Sequence, residues 1–160
     1  MDSKSYILDI ERYMGLWYEF ARTPLSWEVG CARATANYQW NAEKSVVELS
    51  NTCYDANDNE LDVRYGTATP TYVWTRYYDS QPTNTLTIEF TDGRPAGPAT
   101  SYHVVATDYE NYAIVSSSNH TWVLTRLRHQ TMDFFYDIKS LLHEYHIDIT
   151  NLEIKEPLVE

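Results

Sequence analysis

The sequence predicts an all-β fold of eight antiparallel strands, arranged as a sandwich or an up-and-down barrel and followed by one C-terminal α-helix. Three observations carry this. Runs rich in Tyr, Thr and Val alternate apolar with polar residues through most of the chain. Turn-forming residues interrupt those runs at a spacing of about ten residues. One segment near the C-terminus then changes its apolar period from two to that of a helix. A length of 160 residues suits one domain, so 1–160 is read as a single unit.

Strands are expected near 15–22, 32–40, 45–53, 61–69, 85–91, 101–107, 111–117 and 120–126. On the second, Ala34, Ala36 and Tyr38 share one face; on the third, Leu49, Asn51 and Cys53 do, and on the fifth Ile88 and Phe90. Turns fall at Asn41–Lys44, Asp55–Asn59, Asp79–Asn84, Asp92–Pro98 and Ser116–Asn119, where Asp, Asn and Ser side chains bond local backbone. From Thr131 to Tyr145, residues Phe134, Phe135, Ile138, Leu141, Leu142 and Tyr145 form one helical stripe, with Thr131 as cap and Asp133 in the first turn. Ile147–Leu152 alternates again and predicts a short ninth strand. A helix laid with its apolar face on the outside of a closed barrel fits this order.

Twelve Lys and Arg against 23 Asp and Glu give a net charge of −11 and a pI near 4.8. Such a surface repels phosphate backbones and anionic headgroups, which argues against nucleic-acid binding and electrostatic membrane binding. No apolar run reaches the roughly 20 residues of a transmembrane helix. Met1–Ser5 carries no signal-peptide core, so the expectation is a cytoplasmic protein, or a secreted one if the chain is a mature form.

Three separated segments point further. Gly15-Leu16-Trp17-Tyr18-Glu19 opens the first strand, Thr107–Ala113 joins the sixth and seventh, and Trp122–Arg126 ends the eighth. Together they resemble the three signature regions of the lipocalins. The stretch Asp9–Arg22 is similar to the branch of bacterial lipocalins, plant temperature-induced lipocalins and apolipoprotein D. The resemblance implies an eight-stranded up-and-down β-barrel with the helix packed outside. It also implies that Trp17 plugs one end under the guanidinium of Arg126, with Gly15 allowing close approach and Asp108 holding the hairpin turn.

An eight-stranded barrel encloses room for one small ligand. Parity and the resemblance place Ala36, Tyr38, Leu49, Asn51, Arg64, Ile88, Phe90, Tyr102, Val104, Val115 and Trp122 on its inner wall. Arg64 either anchors an acidic ligand group or pairs with Glu19. Trp27, in the loop after the first strand, is either a lid over the mouth or a rim aromatic. The resemblance implies storage or transport of a planar chromophore such as a bilin or porphyrin, or of a fatty acid or lysophospholipid. No catalytic residue, required cofactor or metal site is expected.

Cys31 and Cys53 fall at the same end of a predicted hairpin. Parity places Cys53 inward and Cys31 outward, so a disulfide between them needs a bulge. The alternative is a free Cys53 thiol, attaching a ligand or serving a thiol-dependent enzyme. The aromatic stretch Pro70–Tyr78 lengthens the fourth and fifth strands, as a hairpin packed on itself or as a homodimer contact. A partner-binding or ligand-sequestering role would use that extension or the mouth loops. His143 and His146 read as solvated caps at the helix end, and Asn119-His120-Thr121 is an N-glycosylation triplet.

Overall fold

The computed structural model describes residues 5–24, 30–77, 79–93 and 100–159. A short helix α1 (Ile10–Tyr13) precedes eight long strands. These are β1 (Gly15–Arg22), β2 (Arg33–Asn41), β3 (Val46–Tyr54), β4 (Glu60–Trp74), β5 (Ser80–Phe90), β6 (Thr100–Thr107), β7 (Tyr112–Ser117) and β8 (His120–Thr125). Then follow β9 (Gln130–Thr131), α2 (Met132–Glu144), β10 (Glu153–Ile154) and β11 (Leu158–Val159). The strands run antiparallel in chain order, and β1 pairs with β8 to close a barrel, with β10 added beside β1. Closure removes the two edges that an open sandwich would expose, which settles the choice between sandwich and barrel.

Two cores lie on opposite faces of the sheet. Inside the barrel Trp17, Tyr38, Val47, Leu49, Ala68, Leu86, Tyr102, Val104 and Val115 pack together, with Tyr13 of α1 among them. Outside, Phe20, Ala21, Val105, Ile114 and Val123 meet Ile138 and Leu142 of α2. Helix α2 forms as its stripe predicts: the Thr131 hydroxyl accepts from the Phe134 N–H at 3.1 Å, and Asp133 sits in the first turn. Burying Ile138 and Leu142 contributes roughly 1.5–3 kcal/mol each.

The structure differs from the sequence reading in four places. Ser80–Asn84, expected within a turn, open β5 instead. The last β2–β3 pair is Asn41 with Val46, so the loop runs over 42–45 and each β2 residue pairs two positions further along β3 than a turn at Asn41–Lys44 implies. The ninth strand is Glu153–Ile154 rather than 147–152. Ile147 is buried under α2, and Asp148 accepts from the Thr150 backbone and hydroxyl, so the alternation there belongs to a turn. Finally, β1 carries a bulge between Glu19 and Ala21 where it pairs with β8. No helix among the described residues is long and apolar enough to cross a membrane.

Candidate binding cavity

Strand direction gives the barrel two ends. The closed end holds the starts of β1, β3, β5 and β7; the open end holds the β3–β4 and β7–β8 connections. At the closed end Trp17 is fully buried. Its Nε1 donates to the Tyr13 carbonyl at 2.8 Å, and the Arg126 guanidinium lies 3.7 Å from the ring centroid. Arg126 also donates to the carbonyls of Tyr109, Leu16 and Arg12, each at 2.9 Å. Gly15 has a φ of +99°, a conformation that favours glycine, and a Cβ there would stand 3.3 Å from Arg126 Nη1, a tight approach. Asp108 accepts from the Asn111 and Tyr112 N–H groups at 2.8 and 2.9 Å, which fixes the β6–β7 turn. These contacts bring all four residues together at the base of the barrel.

Above the seal, three phenols meet inside the barrel. Tyr102 OH lies 2.6 Å from Tyr13 OH and 3.1 Å from Tyr38 OH. A phenol donates once and accepts as well, so Tyr102 can serve both neighbours. Burial pushes the Tyr38 hydroxyl up to about 12, with the Tyr102 bond acting against it. Burial also raises Tyr13 and Tyr102 well above the ordinary phenol value. All three are therefore neutral hydroxyls at physiological pH.

Cross-strand partners share a face, so the register reveals which residues look inward. Ala36 stands opposite Asn51, Tyr38 opposite Leu49, Asn51 opposite Arg64, and Ala68 opposite Ile88. Gly66 stands opposite Phe90, Leu86 opposite Tyr102, Val104 opposite Val115, and Val115 opposite Trp122. The expected wall residues thus share one face, and burial divides them. Ala36, Tyr38, Leu49, Tyr102, Val104 and Val115 are buried and fill the lower barrel. Asn51, Arg64, Ile88, Phe90 and Trp122 are only partly buried and make the upper wall. Trp27 lies outside the described residues.

Arg64 does not pair with Glu19. Its Nε and Nη2 donate to the Asp92 carboxylate at 2.9 and 3.2 Å, and its guanidinium stacks 4.3 Å from the Phe90 centroid. The reason is register: Gly66 faces Phe90, which puts Asp92 beside Arg64 just beyond β5. Glu19 instead meets Arg22 at 3.3 Å, with side chains 7% and 4% exposed. The β1 bulge causes this. It turns Phe20 and Ala21 to the helix side and leaves Glu19 opposite Leu124 and Arg22 opposite Trp122, both on the inner face. Alternation alone misses Arg22. The available signal was two consecutive apolar residues flanked by charges. Tyr13 was also missed, because α1 is too short to show a period.

Cys31 and Cys53 are joined, with Cα atoms 5.4 Å apart. The expected conflict of parity does not arise, because Cys31 precedes the first β2 residue, Arg33. The free thiol that a Cys53-dependent enzyme requires is absent among the described residues. The C-terminal segment is held by charge. Arg33 and Arg128 donate to Asp58 at 2.7 and 3.0 Å, and both lie against the buried Glu156, Arg128 at 3.0 Å. Hydrogen bonds from Arg33 and Arg128 hold Asp58 below its ordinary value. Burial raises Glu156 despite the arginines.

A closed barrel with a sealed base, a partly exposed apolar and aromatic upper wall and an exterior helix defines the class of small calyx-type barrels. The lipocalin-like domain model matches residues 8–156, and the chain belongs to that family. The R877 protein of Acanthamoeba polyphaga mimivirus, named as a lipocalin, is 35% identical, over 91% of this chain and 82% of that protein. Apolipoprotein D of Bos taurus is 28% identical, over 92% and 76%. Among solved structures, insecticyanin from the tobacco hornworm Manduca sexta superposes with a TM-score of 0.68 at 18% identity, covering 99% of this chain and 91% of that one.

Proposed function

We propose that this chain binds one small hydrophobic or amphipathic molecule in the upper half of its barrel, for storage or transport and without catalysis. The observation that carries the reading is the contrast between a floor sealed by Trp17 and three bonded tyrosines and a wall above it that stays partly exposed. Binding draws on burial of apolar ligand surface at roughly 25 cal/mol per Å². The polar groups on that wall set orientation: the Asn51 amide, and an Arg64 whose charge Asp92 already meets. A compact planar ligand such as a bilin or porphyrin suits this better than a fatty acid or lysophospholipid, because the tyrosine floor shortens the cavity and Phe90 and Trp122 offer flat faces.

A homodimer through the β4–β5 tip is a second reading. Trp74 and Tyr77 are each 75% exposed, so this hairpin does not bury its aromatics on itself. Native mass spectrometry with a visible absorbance scan tests both. A bound mass lost on denaturation supports the carrier reading, and visible absorbance selects a chromophore over a lipid. An apo mass that persists after challenge with fatty acids, lysolipids, haem and biliverdin overturns storage and transport. A dimer mass lost in Trp74→Ser supports the tip contact, and a monomer at all concentrations removes it.

A further inference from the structure

The β7–β8 hairpin turns over Ser118 and Asn119, with φ of 47° and 69° between the paired residues Ser117 and His120. Left-handed backbone at both central positions is the preferred two-residue hairpin geometry. Asn119 is exposed at this tip. Asn119-His120-Thr121 is also the one Asn-x-Ser/Thr triplet in the sequence. Turn chemistry accounts for an Asn at 119, because Asn tolerates left-handed backbone. It does not account for two other features.

The first is the Cys31–Cys53 bond, which belongs to the oxidising compartments where N-glycans are also attached. The second is a cleft of about 690 Å³ on the outside of the barrel, beside Asn119, between the hairpin and the segment leaving α2. His103, His146, Asp148 and Asn151 line it, and among the described residues its apolar side chains are Pro24 and Ile147. That lining offers imidazole, carboxylate and amide partners to sugar hydroxyls and little to an apolar ligand. Among the described residues no three His, Cys, Asp or Glu side chains are placed to hold a metal.

We propose that Asn119 carries an N-linked glycan whose first N-acetylglucosamine lies in this cleft. In the transfer, Asn119 Nδ2 bonds to C1 of the reducing-end sugar of a polyprenyl-diphosphate-linked oligosaccharide. The bond from C1 to the diphosphate oxygen breaks, the polyprenyl diphosphate leaves with its electron pair, and Nδ2 loses one proton to solvent. The site does not depend on what the barrel holds.

The test is to express the full chain behind a cleavable secretory leader in a mammalian cell and read intact mass in the secreted and retained fractions. The expected protein carries the mass of one glycan, removed by peptide N-glycosidase with residue 119 converted to Asp. Asn119→Gln lacks that mass, and Thr121→Ser keeps it because the hydroxyl remains. Disulfide-bonded protein at its unmodified mass overturns the site and leaves Asn119 as a turn residue only. Amide exchange tests the cleft: in protein trimmed to a single N-acetylglucosamine, residues 116–121 and 146–151 exchange more slowly than in fully deglycosylated protein. Identical exchange overturns the placement in the cleft.

Discussion

At the closed end of the barrel every polar group of the seal has a partner supplied by backbone. Trp17 donates to a carbonyl, Arg126 donates to three, and Asp108 accepts from two amides. At the open end the partners are side chains. Arg64 meets Asp92, Glu19 meets Arg22, Asp58 bridges Arg33 and Arg128, and Cys31 bonds Cys53. The difference teaches how one barrel can be both rigid and adaptable. Backbone partners are fixed by the strands themselves, so the seal cannot change without unfolding β1 or β8. Side-chain partners can be replaced one at a time, so the upper wall can vary its chemistry while the fold stays intact.

The strongest way to break this contrast is at the seal. Trp17→Ala should cost about 3–5 kcal/mol, read as a lower denaturant midpoint, because it leaves a cavity and strips Arg126 of its ring face. A loss below about 1 kcal/mol would show that the closed end is not the stabilising end. Reducing the Cys31–Cys53 bond should cost about 3 kcal/mol for a separation of 22 residues. Near-ultraviolet circular dichroism should then keep the Trp17 environment, since the bridge sits at the opposite end. Tyr102→Phe removes the hydroxyl shared by Tyr13 and Tyr38 and should cost about 1–2 kcal/mol. Replacing the pair together, Arg64→Met with Asp92→Asn, should change stability by less than about 1 kcal/mol, because it removes the ion pair without leaving the Asp92 carboxylate, 8% exposed, without its guanidinium. Calorimetry that finds equal costs for Tyr102→Phe and this double variant would erase the distinction between floor and upper wall.

The same contrast explains what was legible in the sequence. The roles expected of Gly15, Trp17, Asp108 and Arg126 come from the resemblance that their local motifs carry, and each of these residues makes its contacts with backbone or side chains at the same end of the barrel. Period-two alternation puts Ala36 with Tyr38 and Leu49 with Asn51 on one face, because the β2–β3 pairing runs without a register shift from Arg33 to Asn41. Arg64 was harder. Its partner depends on where β5 ends relative to β4, and the turn signals do not fix that register. Arg22 was hidden by the bulge in β1, which breaks the parity that alternation assumes. Trp74 and Tyr77 were visible as an extension, yet only the paired strands show that both rings stay largely exposed, Tyr77 with the Arg76 guanidinium over it.

The two ends should also answer pH from opposite sides, and this is the smallest effect. Asp58 is held below its ordinary 3.8 by bonds from Arg33 and Arg128, so its contribution is present above 3.8 and lost as acid protonates it in the folded state. Glu156 in the same cluster is raised above 4.5 by burial, so its contribution is present below 4.5 and lost as pH rises through its folded value. The two windows of loss do not overlap, so the clamp loses stability on the acid side through Asp58 and on the other side through Glu156. Asp58→Asn should therefore remove the acid loss and keep the fall as pH rises above 4.5, and Glu156→Gln should remove that fall and keep the acid loss. The tyrosine floor titrates far above both windows. Its phenols are all raised, so their contribution is present below the ordinary 10.0 and lost as pH climbs toward about 12, the folded value for Tyr38. Stability measured across pH in the wild type and the two carboxylate variants checks this. Parallel acid limbs in all three proteins would mean that the clamp does not hold the C-terminal strand in solution, whereas a steep alkaline limb common to all three locates the second failure at the floor.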